Sequence, residues 1–203
     1  MEKHFAEFVS RILHPFYMTT YGLLILFNSS LKLLFSTQEK AVSLIVLFIF
    51  TLLLPALIIF LLHKKKKISN LNISNRKERT VPFLCVFCCY ILCTVVLISL
   101  GITPSFIPML LVGSALSILF LTVISFGWKI SAHLTGIGGL CGTIFGISWW
   151  LNVNTMNIFI IVILLSGILA YARIVLKEHT LTQTICGFLL GFFCLFFSNL
   201  IFL

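Results

Sequence analysis

Long apolar runs broken by short polar segments set the pattern of this chain. The runs lie at about 15–35, 41–62, 81–101, 104–127, 132–150, 155–172 and 181–202. Most approach or exceed the ~20 residues that a helix needs to cross a bilayer. The pattern predicts an all-α, polytopic integral membrane helical bundle of about seven spans, folded as a single domain over residues 1–203. The fifth run is diluted by glycine and the sixth is short. Ahead of them, Glu2, Lys3, His4, Glu7, Arg11 and His14 mix with Phe5, Phe8 and Ile12. That mixture predicts a short interfacial helix over 1–14 rather than a cleavable signal.

Composition strengthens this reading. The 203 residues are 60% hydrophobic and 9% charged, with a mean hydropathy of +1.18. A soluble domain of this length has too little interior to bury so much apolar surface, whereas a bilayer solvates it. A net charge of +9 raises the question of nucleic acid, and its placement answers against it. With seven spans, Lys3, Arg11, Lys64 to Lys67, Arg76, Lys77, Arg79, Lys129, Arg173 and Lys177 share one side, and Lys32 and Lys40 take the other. That asymmetry follows the positive-inside rule and predicts that the basic loop 63–80 is cytoplasmic. The lysine run 64–67 reads as a topology signal that also touches anionic headgroups of bilayer lipids.

Several features have structural readings. Cys85, Cys88, Cys89 and Cys93 lie on one helical face with no histidine or acid beside them, and read as apolar packing rather than a thiolate site. Pro55 predicts a local kink in the second run, and Gly101 with Pro104 a tight turn. Asn28-Ser29-Ser30 reads as interhelical glue, and Trp149-Trp150 as an interfacial anchor. Gly138, Gly142 and Gly146 form a ridge of small residues at four-residue spacing, with Gly187 and Gly191 as a natural partner ridge. Pairing those ridges predicts that the His133 and His179 ends of two helices meet.

The chemistry gathers at that end. His179 and Gln183 are four residues apart, so a helix places both on one face and lets the amide orient the imidazole. Arg173 precedes His179, Lys129 and Ser131 precede His133, and Arg76 and Arg79 stand before the third run. Two imidazoles inside a cup of cations call for an anion, because like charges repel and burial penalises them. Phosphate is the expected occupant. A lone interfacial histidine is more often a partly solvated polar tip, which is the reading for His4, His14 and His63.

Three segments resemble the signature motifs of the type 2 phosphatidic acid phosphatase superfamily, in the manner of a divergent bacterial branch. The family's Ser-Arg-x5-His-x3-Asp is similar to Ala172-Arg173-x5-His179-x3-Gln183. Its Pro-Ser-Gly-His is similar to Ile130-Ser131-Ala132-His133. Its Lys-x6-Arg-Pro is echoed by Arg79-Thr80-Val81-Pro82, with Asn72 in the lysine position. The resemblance covers the motif-bearing part of the chain, 81–203 with the loop before it. It implies a six-helix phosphatase-like core in the bacterial inner membrane, acting on a lipid phosphate or isoprenyl diphosphate without metal or other cofactor. His179 would be the nucleophile, His133 the acid and base, Gln183 the orienting partner. Arg173, Arg79, Arg76 and Ser131, with Lys129, would hold phosphate oxygens. The chain contains no aspartate, so Gln183 brings no charge to His179. A non-catalytic lipid-phosphate-binding protein of the same fold is therefore the alternative. A transporter ranks below both, since the runs lack mid-membrane acids and paired charges.

Overall fold

A computed structural model describes residues 1–29, 35–103 and 106–202, with backbone alone for Leu151, Ile201 and Phe202. Ser30, Lys32 and Pro104, to which the sequence assigns roles, lie outside the described residues. The described chain is helical: α1 (Glu2–Ile12), α2 (Pro15–Asn28), α3 (Thr37–Leu47), α4 (Leu54–Lys64), α5 (Thr80–Leu100), α6 (Phe106–Gly127), α7 (Ala132–Leu151), α8 (Met156–Val175) and α9 (Leu181–Phe202). No strand occurs among the described residues.

Local chemistry explains the boundaries. Ser36 and Glu39 form a reciprocal capping box that starts α3. Pro15 opens α2, where its missing N–H costs nothing, and the His14 ring accepts the Phe16 N–H. Gly101, at φ +61°, ends α5 in the left-handed conformation that glycine tolerates best. α3 and α4 form one continuous rod joined by a π-helical turn, Phe48–Leu53. Pro55 follows that turn directly. It cannot donate to the preceding turn, so the disturbance expected of it takes the form of a widened coil.

Five described helical segments are long and apolar enough to cross a membrane: Thr37–Lys64, Thr80–Leu100, Phe106–Gly127, Met156–Val175 and Leu181–Leu200. Their outward faces carry bulky apolar side chains, for example Leu189, Phe193 and Phe197 along α9. Contiguous apolar surface of this kind needs lipid. The fifth and first runs behave differently. α7 matches a span in length but lies inside the bundle, and α2 extends for 14 residues before the described chain is interrupted.

α7 and α9 pack through the predicted glycine ridges. A Cβ on Gly138 or Gly142 would run into the backbone carbonyl of Phe188 or Phe192, and one on Gly191 into that of Thr135. At Gly146 it would lie 2.8 Å from the Asn199 amide nitrogen. α1 lies against α8, burying Ala6 and Val9 and leaving Phe5, Phe8 and Ile12 exposed, as an interfacial helix should. Cys89 and Cys93 are buried and all seven cysteines are free.

Candidate functional site

The starts of α2, α5, α7 and α9 gather with the ends of α6 and α8 at one end of the bundle. The cross-links are specific. Arg79 donates through Nε to the Ile73 carbonyl (3.0 Å) and through Nη1 to that of Ile130 (2.8 Å). The Ser131 amide donates to the Gln183 carbonyl (3.4 Å), and Arg76 to the Gly127 carbonyl. The loop before α5 thus folds back over the bundle, with Ile68 and Ile73 buried against Ile59.

The turn between α8 and α9 explains why the spacing of Arg173 and His179 matters. Lys177 adopts a left-handed φ of 57°, and the Arg173 carbonyl accepts from the amides of Glu178 (3.1 Å) and His179 (3.4 Å). The chain reverses, and both side chains come to line one cavity. Thr180 and Gln183 then form a reciprocal cap at the start of α9. The Thr180 hydroxyl accepts the Gln183 amide (3.4 Å), and Gln183 Oε1 accepts the Thr180 amide (3.1 Å). The same Oε1 lies 3.1 Å from His179 Nδ1. An amide oxygen only accepts, so Nδ1 carries the proton and the neutral ring leaves a lone pair on Nε2. Burial, then the charges of Arg79 and Arg173, pull the His179 pKa down to about 4.

Arg173 is buried, and its Nε has no hydrogen-bond partner among the described residues. Among the described residues its ion-pair contact is Nη2 to Glu178 Oε2 at 4.0 Å. Glu178 is engaged elsewhere, with Lys129 at 3.2 Å and the Ser74 hydroxyl at 2.9 Å. Burial opposes ionisation of Glu178, but those partners outweigh it and its pKa falls below the usual range. Arg79 is also buried, and burial lowers its pKa to about 10, which leaves it charged at neutral pH.

A cavity of about 380 Å³ opens from this group into the bundle. Its polar end is lined by His14, Asn72, Arg79, His133, Arg173 and His179. Four of the eight residues that the sequence assigns to the site therefore meet there. The other four surround it without lining it. Gln183 orients His179; the Ser131 hydroxyl accepts the Leu134 amide (3.5 Å) and caps α7; Lys129 holds Glu178; Arg76 ties the loop to α6.

His14 is the member that sequence reasoning missed. Its ring meets His133 edge-on, with centroids 5.1 Å apart. Because Nδ1 accepts the Phe16 amide (3.4 Å), its neutral ring carries the proton on Nε2. Burial and then Arg173 lower its pKa to about 4. Its one sequence signal is its position directly before Pro15, at the predicted membrane end of a run.

Among the described residues no group of three His, Cys, Asp or Glu side chains is placed to hold a metal ion. No family model, curated protein or solved structure matches the chain.

Proposed function

We propose that this membrane protein is a phosphatase of lipid phosphates or isoprenyl diphosphates, working through a phosphohistidine on His179. The buried Arg173 guanidinium carries this reading: it faces a cavity with Nε unpartnered among the described residues, beside a second buried guanidinium and three imidazoles. A buried guanidinium whose carboxylate stands 4.0 Å away and is shared with Lys129 is under-compensated, and a phosphate would supply both the charge and the acceptors. The motif resemblance, with the type 2 phosphatidic acid phosphatase core of six helices that it implies, supports the same reading. The bundle would sit in a bacterial inner membrane with loop 63–80 and the site facing the cytoplasm, as the distribution of lysine and arginine indicates.

The neutral His179 ring presents its Nε2 lone pair to phosphorus. As the N–P bond forms, the P–O bond to the lipid breaks and its electron pair leaves with oxygen, which takes a proton from His133; burial and Arg173 disfavour the charged form of that ring, so it holds this proton only once the anionic phosphate is bound beside it. Arg79 and Arg173 hold the non-bridging oxygens, where charge accumulates in the transition state. Water then attacks phosphorus and gives a proton to His133, and the N–P pair returns to Nε2 as inorganic phosphate departs. Gln183 keeps the tautomer without stabilising a positive ring.

Because Gln183 is neutral, a lipid-phosphate binder without turnover is the second reading. Phosphate release by protein purified in detergent separates the two. On the first, His179→Ala and His133→Ala abolish release, and Arg173→Ala lowers it by about 10²–10³-fold. Release unaffected by both histidine substitutions removes the phosphatase assignment. Zero release from the wild type, with phosphate-amphiphile binding lost in Arg173→Ala, assigns the binder.

A further inference from the structure

The mechanism above gives Glu178 no part, yet its contacts bear on which phosphate the site takes. Of the chain's five acidic side chains, Glu39 and Glu78 bond serine and asparagine partners in their own segments, and Glu2 and Glu7 belong to α1. Both ion pairs among the described residues end on the fifth, Glu178. Its charge also acts on Arg79. The turn after α8 brings it there, for the Arg173 carbonyl accepts the Glu178 amide (3.1 Å).

The carboxylate treats its cations differently. Oε2 accepts from Lys129 Nζ at 3.2 Å, whereas Arg173 Nη2 stands 4.0 Å from it, past hydrogen-bond reach. Glu178 therefore offsets part of the Arg173 charge and leaves the guanidinium donors open to a ligand. Lys129 is tied up instead, and it surrounds the cavity without lining it. The Ser74 hydroxyl donates to the other oxygen, Oε1, at 2.9 Å, which keeps the carboxylate turned toward the ammonium.

Two guanidinium groups are thus left to line the cavity, a donor set suited to one phosphoryl group. A diphosphate brings a second set of oxygens and about one more negative charge. That second group meets a carboxylate where it needs a cation. We infer that Glu178 is a specificity-determining residue: by sequestering Lys129 and offsetting positive charge, it favours a monophosphate over a diphosphate. This rests on the phosphate reading of the polar end and narrows it to monophosphate esters. Because both contacts share Oε2, the ammonium and the guanidinium stand close together. With the carboxylate charge removed, each is free to engage one phosphoryl group of a diphosphate.

The test is thermal stabilisation of the full chain in phosphatidylcholine nanodiscs. Metal-free buffer at about pH 8 keeps the phosphoryl groups ionised. The probes are decyl phosphate and decyl diphosphate, with inorganic phosphate and inorganic diphosphate as the tail-free pair. The wild type should hold the monophosphate of each pair more tightly. Glu178→Gln keeps the shape and loses the charge, and should raise diphosphate affinity relative to monophosphate by about tenfold. Adding Lys129→Gln should return most of that gain, and Glu178→Asp should keep the wild-type order. Ser74→Ala leaves every charge in place and should move the ratio far less than Glu178→Gln does. Equal shifts in those two variants would make Glu178 an anchor for the loop and overturn its role in specificity. A wild type that holds the diphosphate more tightly, or a ratio that Glu178→Gln leaves unmoved, overturns it too, and the phosphate site stands. The wild-type order requires no variant and decides by itself where Glu178→Gln does not fold. Tighter binding of the decyl pair assigns the anion to an amphiphile, and of the tail-free pair to free phosphate, with the preference for one phosphoryl group upheld in both. No response to any of the four anions, or a response that Arg173→Ala leaves intact, overturns the phosphate site itself and the role of Glu178 with it.

Discussion

α7 has a sealed side and a hollow side. Toward α9, its glycines bring backbone onto backbone, with no room for one more carbon at Gly138 or Gly142. Toward α2 and α6, Leu140 and Thr143 line the cavity. The difference teaches how a lipid-solvated bundle holds a precise site. The seam fixes the relative height of the starts of α7 and α9, and so of His133 and His179. The hollow leaves room for a ligand beside them. Apolar helices gain little by leaving lipid for each other, so close van der Waals contact must do the fixing.

The largest effect is expected at the seam. Gly191→Leu drives a side chain into the Thr135 carbonyl, which belongs to a helix backbone and cannot swing aside. The helices must part, and the variant should yield no folded, monodisperse protein in detergent. Even Gly191→Ala should cost about 3 kcal/mol in equilibrium unfolding. A wild-type unfolding curve for Gly191→Ala would show that the seam is looser than its geometry.

The polar end should respond to pH by a few kcal/mol. In the folded state His14 and His179 titrate at about 4, held down chiefly by burial, while unfolded histidine titrates near 6.5. Between those values the unfolded chain binds protons that the folded chain refuses. Stability is therefore full above about pH 6.5, declines as pH falls toward 4, and levels off below. Melting temperature of the ligand-free protein should follow that course, and His179→Gln should flatten it in part. A melting temperature constant from pH 8 to 4.5 contradicts the neutral-imidazole site.

The smallest effect belongs to the hollow side. A Cβ on Gly22 would meet Leu140 Cδ1, at 3.3 Å, and that methyl can turn away. Helix propensity favours alanine by about 1 kcal/mol, so Gly22→Ala should leave stability unchanged or raised by that amount. A loss comparable to that of Gly191→Ala would mean that α2 is as tightly seated as α9.

Much of this was legible before any coordinates. The four-residue glycine spacing announced the α7–α9 seam, and the spacing of His179 and Gln183 announced their hydrogen bond. Local periodicity suffices for such features because they lie within one helix or between two matched ridges. Glu178 and Lys129 were harder to read. Glu178, adjacent to the nucleophile candidate, pairs with Lys129 and Ser74 across the turn that the left-handed Lys177 makes. Ser131 kept its motif position but spends its hydroxyl on capping α7. Gln183 caps α9 as well as orienting His179, a double role carried by the spacing Thr180-x-x-Gln183.

Sequence alone determined that this chain is helical, needs lipid around it, and masses its cations and imidazoles at one end of its helices. Composition and periodicity carry that information because hydrocarbon solvation and backbone hydrogen bonding act residue by residue. Tertiary structure decided which cations face a common space, that His14 joins them, and that a largely apolar cavity descends from their midst. Those outcomes depend on how side chains from α2, α5, α6 and α7 fail to fill the volume between them. No single segment encodes a void.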